Sequence, residues 1–406
     1  MDIGHRWLGV GHSADPDPYR SGRAATGQAL RGTRPVLLIV FVSGSTDPAA
    51  LLAGIDAACP GVPLIGCSSE LLVATDGAAM RGVVVTALGG PGFTVRTAAR
   101  SSAGGAQRAA GEAVARSGID ILADDPEDPA RADTEAGTGH RAGEVLILLT
   151  DGWVADQEEI LAGAYGAVGA RIPVIGGSAS PDPVLGRPYQ LHGRTPLHDH
   201  VVGATVTSTG PLGFGIRHGW RDVGEPMIVT RSAPGQVWTL DDRPALNAYL
   251  DRYAAPAEAY DDPAAFERFA QSRPIGIRRR HGVEVRSVSS SSRLADGVLR
   301  PSGEIPEGAL VWPMEGDAAS ATAAAADAVR DAVGALGGTP PLGLLAFDCV
   351  SRSHMLGARG TREEVRQMTG PAAGAPVTGI YTWGEILRTS GVNGYHNQTL
   401  AVLAVG

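Results

Sequence analysis

The chain has 406 residues, 43% hydrophobic and 19% charged, with a formal net charge of −9, which describes a folded, multi-domain protein with a large core and no basic surface for nucleic acid. All 34 basic residues are arginine; without a lysine the chain cannot be a Schiff-base enzyme, a P-loop NTPase or a protein kinase in their standard forms. The three cysteines, Cys59, Cys67 and Cys349, are far apart and form no CxxC pair, which argues against a disulfide scaffold or zinc-cysteine site and fits a reducing compartment.

The N-terminus lacks the basic start and apolar core of a signal peptide, and no apolar run reaches the ~20 residues of a membrane span. A cytoplasmic protein is expected. In chain order, a short strand at Trp7–Val10 precedes a helix over Tyr19–Arg31. Pro35–Val42 is a continuous apolar strand, and Asp47-Pro48 supplies an N-cap and a first-turn proline for the next helix. Pro63–Gly66 (PLIG) runs as a strand into Cys67-Ser68-Ser69, and strands follow at Arg81–Leu88 and Phe93–Ala98.

After a helix over Gly104–Ser117, residues 119–143 are acidic, rich in Pro, Gly and Ala, and without periodicity; a flexible acidic insertion is expected. The β-α-β-β pattern then returns. Glu144–Thr150 is a strand, Ala155–Val168 a helix, Pro173–Gly176 (PVIG) a strand running into Gly177-Ser178-Ala179, and His200–Ser208 and Leu212–Arg217 are strands. PLIG and PVIG hold the same place in two units, which predicts internal pseudo-symmetry.

A strand at Met227–Arg231 and a helix over Leu240–Tyr253 lead to a polar connection at Tyr253–Asp262. Beyond it come a helix at Ala264–Gln271, strands at Pro274–Arg278, Val283–Ser289 and Ala309–Pro313, and an alanine-rich helix opened by Asp317 or Ser320. The pattern closes with a strand at Leu342–Phe347, a helix at Arg362–Met368, and strands at Val377–Tyr381 and Thr399–Val405, again β-α-β-β. The expected fold class is α/β: repeated β-α-β-β units forming mixed sheets layered with helices, in two domains, 1–255 and 256–406.

Strand ends are where α/β proteins hold ligands. One strand here stops at Cys349 and Arg352, another at Glu385. The Arg352 guanidinium could fork onto a carboxylate and Glu385 could accept an ammonium group, which together would suit a zwitterion such as an amino acid; equally, the two could form a structural ion pair. Cys349 reads either as a packed small hydrophobe or as a nucleophile with His354 or His396 as its base. Tyr381, His396 and Asn397 flank the same strands, and Cys67, Ser68 and Gly177 follow PLIG and PVIG, where small residues allow close backbone approach or simply a tight turn. No metal set is assignable, since His198 and His200 have no third ligand, and no cofactor is expected.

PLIGCSS, TDGW, PVIGGSAS, HGWRDVG and LDDRPALNAY in the first part, with FDCVSR, GIYTWGEI and HNQT in the second, resemble the FIST family over nearly the whole chain, as an N-terminal followed by a C-terminal FIST region. The resemblance implies a sensory module of intracellular signal transduction that binds a small molecule such as an amino acid. The length leaves no room for an appended output domain, so a separate signalling partner is expected. The alternative function is an enzyme using Cys349 as nucleophile on a small substrate.

Overall fold

The apolar alternation of Pro35–Ser43 gives one strand two buried faces. Leu37, Ile39 and Phe41 point into one hydrophobic cluster, while Leu38, Val40 and Val42 point into another. Glu144–Asp151 and Gly343–Cys349 repeat the division: Ile147 and Leu149, and Leu345 and Phe347, enter the same first cluster, and the intervening residues enter two further clusters. This period of two organises the computed structural model, which describes residues 5–45, 47–75, 81–123, 143–154, 156–279, 282–288, 296–389 and 394–406.

Three sheets enclose the shared cluster, and helices cover their outer faces. In the first, the order is Trp7–Ser13, Gly82–Gly89, Pro35–Ser43, Leu64–Ser68, Gln190–His192, Thr195–Leu197. In the second it is Phe93–Ser101, His200–Ser208, Glu144–Asp151, Val174–Ala179, Glu385–Arg388, Tyr395–His396. In the third it is Leu212–Arg217, Leu400–Val405, Gly343–Cys349, Val377–Thr382, Leu72–Ala74. Each has a parallel central pair flanked by an antiparallel strand, so the sheets are mixed, as the sequence predicts.

The three sheets are three copies of one unit: edge strand, helix, strand, helix, strand, strand. The copies match residue for residue at Gly66, Gly176 and Gly379, which lie opposite Val40, Leu148 and Ala346. A Cβ on any of them would sit 1.8–2.0 Å from the facing carbonyl oxygen, so only glycine fits. After its second parallel strand each unit sends a short segment to a neighbour's sheet. The first gives Leu72–Ala74 to the third, the second gives Gln190–His192 and Thr195–Leu197 to the first, and the third gives Glu385–Arg388 and Tyr395–His396 to the second. The exchange is cyclic.

The third unit is interrupted between its edge strand, Leu212–Arg217, and its first helix, Ala318–Gly334. The interruption holds the fourth sheet, ordered Arg243–Pro244, Gln236–Leu240, Met227–Ala233, Leu310–Glu315, Ile275–Arg279, Gly282–Arg286. The helices Ala245–Arg252 and Pro263–Ala270 cover it through Tyr249, Phe266 and Phe269. This inserted layer lies against the end of the third unit, as the Ser302–Asn397 hydrogen bond of 2.7 Å shows.

Helix N-termini form where the sequence places caps: Asp47 accepts from the amides of Ala49 and Ala50, and Asp317 forms a capping box with Ser320. The helix expected at Arg362–Met368 is longer, Val350–Thr369, and is broken at Gly357, whose φ of 62° is left-handed. The expected insertion at 119–143 falls mostly outside the described residues. Among the described residues no helix is long and apolar enough to cross a membrane.

Candidate functional site

The strand Gly343–Cys349 is buried along its whole length and ends at Cys349, the N-cap position of the following helix. Alternation sends Asp348 to the helix-covered face and leaves Cys349 at the inner end, where a cavity of about 320 Å³ begins. Cys349, Ser351, His354 and Thr382 form one wall, and Asn397 and Gln398, just before the last strand, form the next. The inserted layer closes the far side with Glu267, Gln271 and Ser302. The cavity thus sits at the carboxyl ends of a parallel strand pair, under a lid of inserted chain.

Glu385 stands behind Cys349. Its carboxylate is fully buried and accepts from the Thr382 hydroxyl at 2.8 Å, the Thr399 hydroxyl at 2.9 Å and the Thr399 amide at 3.1 Å. Burial outweighs these three hydrogen bonds, and the weaker influence of the neighbouring Cys349 thiol, and raises the Glu385 carboxyl to about 7. Burial, and then the Glu385 charge, push the Cys349 thiol well above its ordinary range. The nearby Gln398 and Ser351 backbone and the Ser351 hydroxyl pull weakly the other way.

At the mouth, His354 Nε2 lies 3.1 Å from Glu70 Oε1 of the first unit. That hydrogen bond raises the imidazole above its ordinary value. Gln398 has a left-handed backbone, φ 59°. Its Nε2 donates to the Gln271 carbonyl at 3.3 Å, while its Oε1 is buried without a hydrogen-bond partner.

Arg352 does not reach this cavity. It is fully buried on the other face of the sheet, where it pairs with Asp348 at 2.8 Å and with Glu364, and donates to the His218 and Ala321 carbonyls. The expected pairing with Glu385 is replaced by these contacts, because Asp348 and Arg352, four residues apart, face the helix side together. Tyr381 belongs to the same cluster, its hydroxyl donating to Glu364 at 3.0 Å. Burial and repulsion from Glu364 hold the Asp348 carboxyl well above its ordinary range.

The remaining expected residues divide similarly. Asn397 lines the cavity and accepts from Ser302. His396 lies opposite Glu385 in the ladder, but its Nε2 is 3.0 Å from the Leu387 carbonyl oxygen. Cys67 is packed in the shared cluster. Ser68 bonds the Ser180 carbonyl and the Tyr189 amide. Gly177 faces Glu385 across the ladder, and its missing side chain makes room for Thr382, which a Cβ would approach to 2.4 Å. The small residue thus admits the protein's own threonine. The contributions of Gln271, Glu267 and Ser302 come from chain about 50–80 residues before Cys349, a placement no local pattern announces. Among the described residues no cluster of three His, Cys, Asp or Glu side chains could hold a metal.

Comparison with known proteins gives a FIST N domain over residues 36–243 and a FIST C domain over residues 245–388. Two proteins of Mycobacterium tuberculosis are each 27% identical over 420 residues, covering 97% of this chain and 98% of their own length: the uncharacterized protein MT0656 of strain CDC 1551 / Oshkosh and the uncharacterized protein Rv0628c of strain ATCC 25618 / H37Rv. Among solved structures, a cyanuric acid hydrolase from A. caulinodans matches 51% of this chain and 72% of its own at 9% identity and a TM-score of 0.26.

Proposed function

The chain belongs to the FIST family of sensory domains in signal transduction, and from that premise we propose that the cavity beside Cys349 is its ligand site, taking a small zwitterion such as an amino acid. The observation that supports this reading is Gln398, which lines the cavity and whose buried Oε1 has no hydrogen-bond partner. An unsatisfied buried acceptor costs ~1–3 kcal/mol, which a ligand ammonium would recover. Glu267 on the far side adds negative charge, and the His354 imidazole, held toward its cationic form by Glu70, suits the carboxylate. Arg352 has no part in this binding mode. The volume lies at the lower end of the ~300–1,000 Å³ usual for small-ligand pockets.

The signal leaves through a separate protein. Trp383 lines the cavity yet is 43% exposed, so occupancy alters the outer surface. The protein works in the cytoplasm, where Cys59, Cys67 and Cys349 remain free thiols.

The test is a thermal-shift screen of the twenty amino acids on wild type and Gln398→Leu. A ligand at 100 times its Kd should stabilise wild type by ~2.7 kcal/mol, and the variant should lose most of the shift. If wild type responds to none, or the variant responds equally, the assignment fails.

A further inference from the structure

The sheet registers align the three units residue by residue. Val40, Leu148 and Ala346 each face a glycine of the parallel neighbour on one side and Val85, Gly203 and Val402 of the antiparallel strand on the other. Counting along the chain from these pairs makes Ser43, Asp151 and Cys349 equivalent, and likewise Ser45, Trp153 and Ser351. At the entry to the antiparallel strand, Arg81, Asp199 and Gln398 correspond. Asp199 and Gln398 share a left-handed backbone, φ 53° and 59°. The Cys349 cavity is therefore one of three equivalent places in the molecule.

The other two differ from it and from each other. In the second unit the place is filled from within. The Asp151 carboxylate accepts from the Trp153 amide at 2.9 Å and the Asp199 amide at 3.0 Å, tying the two segments together. In the first unit Ser43 stands where Asp151 would be, and a cavity of about 130 Å³ is lined by Ser43, Gly44, Ser45 and Arg81. Asp15 and Pro16, from the turn before the first helix, add to its wall, where the third unit uses inserted chain. Ser45 is 8% exposed, and its Oγ is buried without a hydrogen-bond partner. Arg81 is exposed; its Cδ would lie 3.8 Å from a Cβ on Gly44, and among the described residues it forms no ion pair. The Gly44 and Ser45 amides are already taken by Asp182 of the second unit, at 2.8 and 3.3 Å. The hydroxyl and the guanidinium are thus the groups left for a ligand.

We propose that this cavity binds a small monocarboxylate, held by the Arg81 guanidinium and the Ser45 hydroxyl. The ligand supplies here what Asp151 supplies in the second unit. A guanidinium matches the two oxygens of a carboxylate, and charge-assisted hydrogen bonds are the strong ones. The volume suits an acid of a few carbon atoms. Asp15 sets the charge limit. Its Oδ1 accepts from the Asp17 amide at 2.9 Å and lies 3.4 Å from Arg20, and its own charge disfavours a dianion, so a monocarboxylate is preferred to phosphate. The site is distinct from the Cys349 cavity and does not depend on what that cavity holds.

The experiment is isothermal titration calorimetry on the full chain with acetate, lactate and inorganic phosphate at constant ionic strength. Acetate or lactate should bind wild type more tightly than phosphate does. Arg81→Met, a change at an exposed position, should weaken that binding at least tenfold, and Ser45→Ala should weaken it several-fold. Gln398→Leu, in the Cys349 cavity, should leave it unchanged. No binding of either acid, equal affinity in Arg81→Met, or tighter binding of phosphate overturns the proposal. Loss in Gln398→Leu with Arg81→Met unaffected places the acid in the Cys349 cavity and also overturns it.

A second measurement needs only wild type. Phenylglyoxal labelling of arginines, mapped by peptide mass spectrometry, should be slowed by acetate or lactate at Arg81 and not at Arg330, which is exposed on the first helix of the third unit. Equal slowing at the two, or none at Arg81, overturns the assignment. Failure here leaves the amino-acid reading of the Cys349 cavity intact, because that reading is tested by Gln398→Leu and not by Arg81.

Discussion

Removing the Arg352 side chain leaves two carboxyl groups, Asp348 and Glu364, buried without their cation. Breaking a buried pair in this way costs ~3–5 kcal/mol, so Arg352→Met is expected to lose that much in urea denaturation. The same variant, if folded, should bind ligand with wild-type affinity, because the guanidinium faces away from the cavity. Glu385 makes the opposite case. Burial lifts its carboxyl to about 7, above the ~4.3 of an unfolded chain. The folded state therefore keeps a proton that the unfolded state releases; the resulting stabilisation is complete below about pH 4 and disappears as pH rises through about 7. For a fully buried group a shift of this size is worth ~4 kcal/mol. Unfolding free energies at pH 5 and pH 8 should differ more in wild type than in Glu385→Gln, and equal differences would remove Glu385 as the source. The places of Cys349 and Asn397 on the cavity wall, and of Glu385 behind it, were legible because each lies at the end or start of an apolar strand. The face each side chain takes was harder to read: Asp348 and Cys349 are neighbours, yet they point to opposite sides of the sheet and take Arg352 and Glu385 with them.

Among elements, the long apolar strands announce themselves, and so do the helices with Asp caps. The glycines of PLIG, PVIG and PVTG mark one position in three copies, each pressed against the carbonyl of a parallel neighbour. Gly379→Ala should lower stability by ~1–3 kcal/mol or more, the usual cost of overpacking, whereas Gly27→Ala, with open space around its site, should be close to neutral or slightly stabilising in the same thermal melt. The exchanged segments Leu72–Ala74, Gln190–His192 and Glu385–Arg388 were not legible as strands. They are three or four residues long, too short for a period to register, and their partners lie from about 120 to over 300 residues away in the chain. The early start of the helix at Val350 was hidden for a related reason: Gly357 breaks it, so the first turns carry no continuous amphipathic face.

At the scale of the molecule, the three-unit body is interlocked. The second sheet is completed by Glu385–Arg388, and the third by Leu72–Ala74. The three units should therefore unfold as one, with fluorescence and far-UV circular dichroism giving coincident transitions. A fragment ending at residue 210 should not fold stably, and should recover structure when mixed with the complementary fragment; independent folding of that fragment would show that the exchanged strands contribute little. The repeated β-α-β-β plan could be read from sequence because each copy is local. Its interruption by a fourth sheet could not, since the edge strand Leu212–Arg217 and the helix Ala318–Gly334 belong to one unit across about a hundred residues of other structure.

The pairing of Glu385–Arg388 with Val174–Gly177 also sets a clock. During synthesis, the second sheet waits for its edge while roughly 200 further residues are made, which at ~5–20 residues per second takes on the order of 10–40 s. Throughout that interval Val174–Gly177 offers unpaired backbone groups to any other chain within reach, the kind of exposed edge that promotes aggregation. Slowing translation before codon 385 should therefore lower the yield of soluble protein more than the same pause placed after it.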